Sequence, residues 1–245
     1  MTASPHAHTL FEAIALTLFP EMFPGPLAYS LAGKALHNGL WNLETLNIRD
    51  YATNKHNNVD DTPYGGGTGM VMRADVVDAA ICAAKSKLPN ARLIHFTPRG
   101  QAITQPLIAK LVEQPLIMLC GRFEGIDERI FEEHQPLDLS LGEFVLSGGE
   151  IPALALLDAC LRLVPGVIQD ESALGEESFG LDAVYAGLLE YPHYTRPPVW
   201  KGKGIPDVLL SGHHEQIRTW RLAEAERVTA TRRPDMWERY MNAKK

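Results

Sequence analysis

The sequence predicts an α/β protein built on a mainly parallel sheet and followed by a small, mostly helical end piece. Three observations carry this expectation. Short apolar runs alternate with longer amphipathic ones through the first two-thirds of the chain, as strands do when helices cover both faces of a parallel sheet. The 245 residues are 45% hydrophobic and 22% charged, which suits one large or two small domains and excludes wholesale disorder. The charge is also separated by sign: the net is −7, yet residues 193–245 carry 11 Lys/Arg against 6 Asp/Glu, and the preceding residues carry 12 against 24.

Strands are expected at residues 11–18, 43–48, 92–96, 116–120 and 143–146, where apolar residues run or alternate over a strand's length. Between them, helical spacing points to helices near 27–37, 74–87, 103–113, 127–134 and 151–164. Residues 163–195 contain no Lys or Arg but six acids, Asp170, Glu171, Glu176, Glu177, Asp182 and Glu190, interspersed with Gly and Ser, and read as a mobile linker. The stretch Tyr191-Pro192-His193-Tyr194-Thr195-Arg196-Pro197-Pro198 cannot be regular helix. Residues 212–230 are helical in character, Arg232-Arg233-Pro234 breaks them, and a last short helix follows. The domain reading is therefore 1–166 as an α/β domain, 167–190 as an acidic linker and 191–245 as a helical domain. The basic end is the electrostatic footprint of a polyanion, or simply a solvated helical tail; charge alone does not decide between them.

No run approaches ~18 consecutive apolar residues, so no membrane span is expected. Met1 to His8 is polar and lacks the pattern of a secretory leader. Cys82, Cys120 and Cys160 lie far apart in apolar stretches with no Cys-x-x-Cys spacing; they are expected to be buried thiols in a reducing cytoplasm. Tyr64-Gly65-Gly66-Gly67-Thr68-Gly69-Met70 is not a phosphate loop, because Met70-Val71 stand where Lys and Ser/Thr are needed. A Rossmann fingerprint is also missing, since the first strand runs into Phe19-Pro20-Glu21-Met22-Phe23. The glycine block reads as a loop that closes over something, or as a tight turn.

Three glycine-bearing loops are expected at strand ends: Thr97-Pro98-Arg99-Gly100-Gln101, the nine residues from Gly121 to Arg129, and the ten from Leu141 to Glu150. In an open parallel sheet, ligands bind off the C-terminal strand ends. Glycine there lets backbone groups approach a flat ligand. One such loop is an ordinary turn; three together suggest a shared pocket. Candidate acid/base groups are Glu124, Glu143, Glu150, Glu176 and Glu177, with Arg122, Arg129 and Arg162 as cations. Arg162 closes an otherwise apolar helix, where it suits the helix dipole as well as a functional role. His213 and His214 read as solvated residues at a helix start.

These motifs, from Leu16-Thr17-Leu18-Phe19-Pro20-Glu21-Met22-Phe23 through Asp60-Asp61-Thr62-Pro63-Tyr64-Gly65-Gly66-Gly67 and Pro192 to Pro197 to Leu210-Ser211-Gly212-His213-His214-Glu215-Gln216-Ile217-Arg218, resemble the bacterial tRNA (guanine-N1)-methyltransferase family, which modifies guanosine 37 beside the anticodon. The resemblance implies the SPOUT fold, an α/β domain with a C-terminal trefoil knot, and a homodimer with its S-adenosylmethionine pockets at the subunit interface. It implies that the donor is held, largely through backbone, by Phe96, Thr97, Pro98 and Gly100, by Gly121, Phe123 and Gly125, and by Leu141, Gly142, Glu143, Phe144, Val145, Leu146, Gly148, Gly149 and Pro152.

The same resemblance assigns a base to Glu177, in Glu176-Glu177-Ser178-Phe179, and an O6-stabilising cation to Arg162. It links Glu124 with a magnesium ion. The family pattern has Asp where Glu177 stands, and the linker carries extra residues at about 174–186, so Glu176 is a rival for the base. Arg196, Lys201, Lys203, Arg218 and Arg221 are the expected tRNA contacts by position, with no DNA or membrane partner and a cytoplasmic location. Two neighbouring readings remain compatible with the residues: a SPOUT RNA-binding protein that does not catalyse, and a ribose 2′-O-methyltransferase.

Overall fold

The computed structural model describes residues 10–169, 173–180 and 184–244. The chain divides into two compact units, 1–169 and 170–245. In the first, five parallel strands, β1 (Phe11–Thr17), β2 (Trp41–Asn47), β5 (Arg92–Ala102), β6 (Leu116–Leu119) and β7 (Leu137–Ser140), form one sheet in the order β2-β1-β6-β5-β7. A two-stranded antiparallel pair, β3 (Asp60–Asp61) and β4 (Val71–Met72), lies outside it. The helices of this unit are α1 (Ser30–His37), α2 (Ala74–Lys87), α3 (Gln105–Leu111), α4 (Arg129–His134) and α5 (Glu150–Leu161).

The sheet is buried on both faces, and strand periodicity assigns residues to them. Ala13, Ala15, Ile94, Leu116 and Met118 face the core that includes α5 residues Ala153, Leu156, Leu157 and Cys160. Ile14, Leu16, Leu93, Ile117 and Leu119 face the core built with α2 residues Val76, Val77, Ala80, Ile81 and Ala84. Each fully buried Leu or Ile contributes roughly 1.5–3 kcal/mol, so the central strands β1 and β6 anchor this unit. Helix α5 buries residues nearly all round, as a helix wedged into a core must.

The expected α2 matches residue for residue, and β1 and β6 differ by one residue at their ends. Three expectations need correction. No strand forms at 143–146, where Phe144 is exposed and Val145 is 85% exposed, so pairing there would bury nothing. The edge strand is instead Leu137–Ser140, which buries Leu139 against β5. Nor does β5 stop at Phe96. It resumes after a bulge, with Phe96 and Gln101 both opposite Leu139 and residues 97–100 displaced between them. Finally, Cys120 and Cys160 are buried as expected but Cys82 is exposed, because it lies off the buried face of α2 formed by residues 76, 77, 80, 81 and 84.

The second unit contains α6 (Ala173–Glu176), the antiparallel pair β8 (Val199–Trp200) and β9 (Lys203–Gly204), and helices α7 (Asp207–Leu210), α8 (His214–Arg232) and α9 (Pro234–Ala243). Its core is aromatic: Tyr185, Leu188, Tyr191, Ala225 and Tyr240, with Trp220, Leu222 and Trp237 packed against them. Tyr185 and Leu188, read from the sequence as linker, thus belong to this core. Of the linker acids, Asp170, Glu171 and Asp182 lie outside the described residues.

Candidate active site

The C-terminal ends of β5, β6 and β7 open onto a cleft of about 550 Å³, within the usual range for a small-molecule site. Its walls are the β5 bulge (Phe96, Thr97, Pro98), the loop after β6 (Gly121, Phe123, Glu124, Gly125) and the loop after β7 (Leu141, Gly142, Phe144, Val145, Leu146, Gly148, Gly149), with Pro152 of α5. The structure therefore brings together nearly every residue expected to hold a ligand. Gly100 and Glu143 line a smaller hollow beside it, shared with Pro98, Gly142, Phe144 and Val145.

Two glycines of these loops are required sterically. A Cβ at Gly100 would lie 2.5 Å from backbone atoms of Asp138 and Leu139, and one at Gly149 would lie 2.7 Å from Cα of Cys120; real Cβ contacts do not come under 3.0 Å. Gly149 also donates its N–H to the carbonyl of Gly121 (3.0 Å), tying two walls together.

Behind the cleft lies a buried ion pair. Glu150, at the first turn of α5, is 0% exposed; its Oε1 accepts the Thr17 hydroxyl at 2.8 Å, and its Oε2 lies 2.9 Å from Nη2 of Arg122. Arg122 donates to the Ser147 carbonyl (3.2 Å) and stacks over the Phe19 ring at 4.4 Å. Its Nε is buried without a hydrogen-bond partner. The guanidinium group fills the space beside Gly148, where a Cβ would come within 2.7 Å of Cζ. Arg122 thus joins the end of β1, the loop after β6 and the loop after β7. Glu150, a candidate acid/base group from sequence, is committed to this pairing.

His95, missed from the sequence, also lines the cleft. It is 6% exposed, bonds Asp138 through Nδ1 (2.9 Å) and packs on Phe131 at 4.8 Å. Burial holds its pKa below the usual histidine value, against the opposing pull of Asp138. Desolvation and nearby Glu150 raise the Cys120 thiol well above its ordinary value. Arg129 pairs with Asp127 at 2.7 Å and is taken up locally.

Arg162 is the exposed C-cap of α5, its N–H directed to the Asp158 carbonyl (3.3 Å), and it does not line the cleft. In the second unit, Glu177 lies half-buried on a tight turn. Gly180 N–H donates to its carbonyl (2.9 Å), Phe179 has φ +64 and donates to Leu188, and Ser178 Oγ accepts from Glu190 N–H (2.9 Å). Glu176 is anchored: its Oε2 accepts from Tyr191 Oη (2.8 Å) and Arg221 Nη1 (3.2 Å), while Arg221 also stacks on Tyr191 at 4.8 Å. Arg196, Lys201, Lys203 and Arg218 are exposed. Among the described residues, Asp78, Cys82 and His134 bring donor atoms within 4.8 Å of one another. His134 there is hydrogen-bonded to both Asp78 and Lys85, and Glu124 is not part of the group.

A parallel sheet with glycine-walled loops at its C-terminal edge defines an α/β protein with a ligand cleft of the kind enzymes build there. The family model described as tRNA (guanine-1)-methyltransferase TrmD matches residues 12–239. The chain is 53% identical over 234 residues to a tRNA (guanine-N(1)-)-methyltransferase of Rhodospirillum rubrum, covering 95% of each chain. It is 54% identical over 231 residues to that of Zymomonas mobilis (94% of this chain, 91% of the other), and 49% identical over 246 residues to that of Ruegeria pomeroyi (100% and 99%). The chain belongs to the tRNA (guanine-1)-methyltransferase family and is an enzyme of that class.

Proposed function

We propose that the protein methylates N1 of guanosine 37 in tRNA, with S-adenosylmethionine as donor, as a cytoplasmic homodimer of the knotted SPOUT type. The observation that carries the reading is the cleft itself: three loops at adjacent strand ends, walled by glycine backbone, in a chain of this family. Thr97, Pro98, Gly121, residues 141–146, Gly148 and Gly149 would hold the donor, and close approach of backbone at the glycines suits a flat adenine ring. When bound, S-adenosylmethionine supplies a methyl group on a sulfonium that needs no further activation.

Guanine N1 carries a proton at neutral pH, so the protein must supply a base for it and a cation for the charge that spreads to O6. Glu177 is the proposed base. Glu176, whose carboxylate Tyr191 and Arg221 bind, is the rival for that role. Arg162 is the proposed cation at O6. Glu124, an exposed carboxylate on the cleft wall, suits a Mg²⁺ ion that keeps most of its waters. Exposed Phe123, Phe144, Val145 and Ile151 form apolar surface that a second subunit would cover. Arg196, Lys201, Lys203, Arg218 and Arg221 would contact phosphates of the anticodon stem, Arg221 from beside Glu176, whose carboxylate it binds. The target base would leave its stack to reach the donor.

The test is transfer of labelled methyl from S-adenosylmethionine to an unmodified tRNA transcript, followed by nucleoside analysis. The expected product is 1-methylguanosine, lost when position 37 is changed. Glu177→Gln should abolish it and Glu176→Gln should not. A 2′-O-methylated nucleoside, or the reverse result for the two glutamates, overturns the reading.

A further inference from the structure

The glycine block is not a phosphate loop, and the reaction as proposed leaves it without a role. Its last glycine, however, lies directly against a proposed site residue. A Cβ at Gly69 would come within 2.6 Å of Oε1 and 2.9 Å of Cδ of Glu124, so the Glu124 side chain occupies the space that any other residue at 69 would fill. The two segments are also joined by a short backbone ladder. Met70 O accepts from Glu124 N–H (3.0 Å), Gly125 O from Met72 N–H (2.9 Å) and Met72 O from Asp127 N–H (3.1 Å), with a parallel bridge between Met72 and Ile126. Met72 is fully buried and its Sδ accepts Arg122 N–H at 3.4 Å, so the ladder is fastened to the core.

We propose that Gly69 is a positioning residue for methyl transfer: the space left by its missing side chain holds the Glu124 carboxylate at the cleft, and the glycine block sets where that carboxylate sits. The inference rests on the reading of Glu124 as a site residue. Gly65, Gly66 and Gly69 all have left-handed φ, +88, +79 and +85, so alanine strains the backbone alike at each. At Gly65 and Gly66 a Cβ meets nothing within 4 Å. A comparison of Gly69→Ala with Gly65→Ala therefore separates contact with Glu124 from backbone strain.

The experiment is single-turnover methyl transfer to tRNA across a Mg²⁺ titration, with donor affinity measured separately. Gly69→Ala is expected to lower the rate about tenfold or more relative to Gly65→Ala, to require more Mg²⁺ for half its maximal rate, and to leave donor affinity unchanged. In a Glu124→Gln background it should cost nothing further, since the two changes act on one group. A readout independent of activity is the melting temperature: Glu124→Ala removes the clashing atoms and should return Gly69→Ala to the level of Gly65→Ala. If Gly69→Ala and Gly65→Ala behave alike, or if the losses from Gly69→Ala and Glu124→Gln multiply, the positioning role is refuted while Glu124 keeps its place. If Glu124→Gln is fully active, the reading of Glu124 fails and the inference falls with it.

Discussion

Glu150→Gln tests the buried pair that joins the end of β1 to two walls of the cleft, the loops after β6 and β7. Glu150 has no exposure and Arg122 keeps 19% of its side chain exposed. Removing the anion leaves a guanidinium with the Ser147 carbonyl at 3.2 Å and a weak contact to Met22 Sδ at 3.5 Å. Breaking one side of a buried pair costs about 3–5 kcal/mol, and the residual hydration of Arg122 puts this case near the lower figure. At about 2–4 °C per kcal/mol for a domain of this size, the loss is about 6–12 °C in melting temperature. Thermal unfolding followed by circular dichroism measures it on the free protein. Arg122→Met in the same background should recover part of the loss, because an apolar side chain leaves no unpaired charge. A shift smaller than about 2 °C, or a double variant whose losses simply add, would refute the view that the pair is buried and coupled.

Arg162→Ala should reduce single-turnover methyl transfer by about 10²-fold or more, with donor affinity unchanged; an active variant reduces Arg162 to a helix cap. A thiol reagent should modify Cys82 in the native protein and reach Cys120 and Cys160 only on unfolding, because both are buried and the Cys160 thiol is pushed up to about 12; rapid modification of two thiols contradicts this. Because burial lowers the His95 pKa from 6.5, the unfolded chain takes up the proton first as pH falls. Its contribution to stability is therefore complete above about pH 6.5 and declines below it. Asp138 and Glu128 oppose the shift and Arg99 adds to it. His95→Gln should flatten this part of the melting profile between pH 8 and 5, and an unchanged slope counts against a buried neutral imidazole.

Much of the fold was legible because its signals are local. The α2 pattern and the apolar runs of β1 and β6 identify themselves, since continuous burial leaves no polar interruption to mislead. Strand β7 was not legible: Leu137-Asp138-Leu139-Ser140 is short and half polar, whereas Glu143-Phe144-Val145-Leu146 has the stronger strand composition. What decided between them was the register opposite Phe96 and Gln101, a long-range matter. The exposure of Cys82 followed from one turn of helix phase. His95 sits in an apolar run where nothing in the sequence distinguishes a packed imidazole from a strand residue turned to solvent.

By itself the sequence determined the alternation of strands and helices, the placing of glycines at strand ends, the sign-separated charge and, through its motifs, the family. These depend on residue type and spacing, which the chain carries wherever it folds. Tertiary structure alone decided that the β5 loop is a bulge, that Glu150 serves Arg122 rather than proton transfer, that Glu176 is held by Tyr191 and Arg221, and that Gly69 makes room for Glu124. Each of these joins residues distant in sequence, and the energy of such a contact depends on distance and exclusion of water, neither of which exists until the chain has packed.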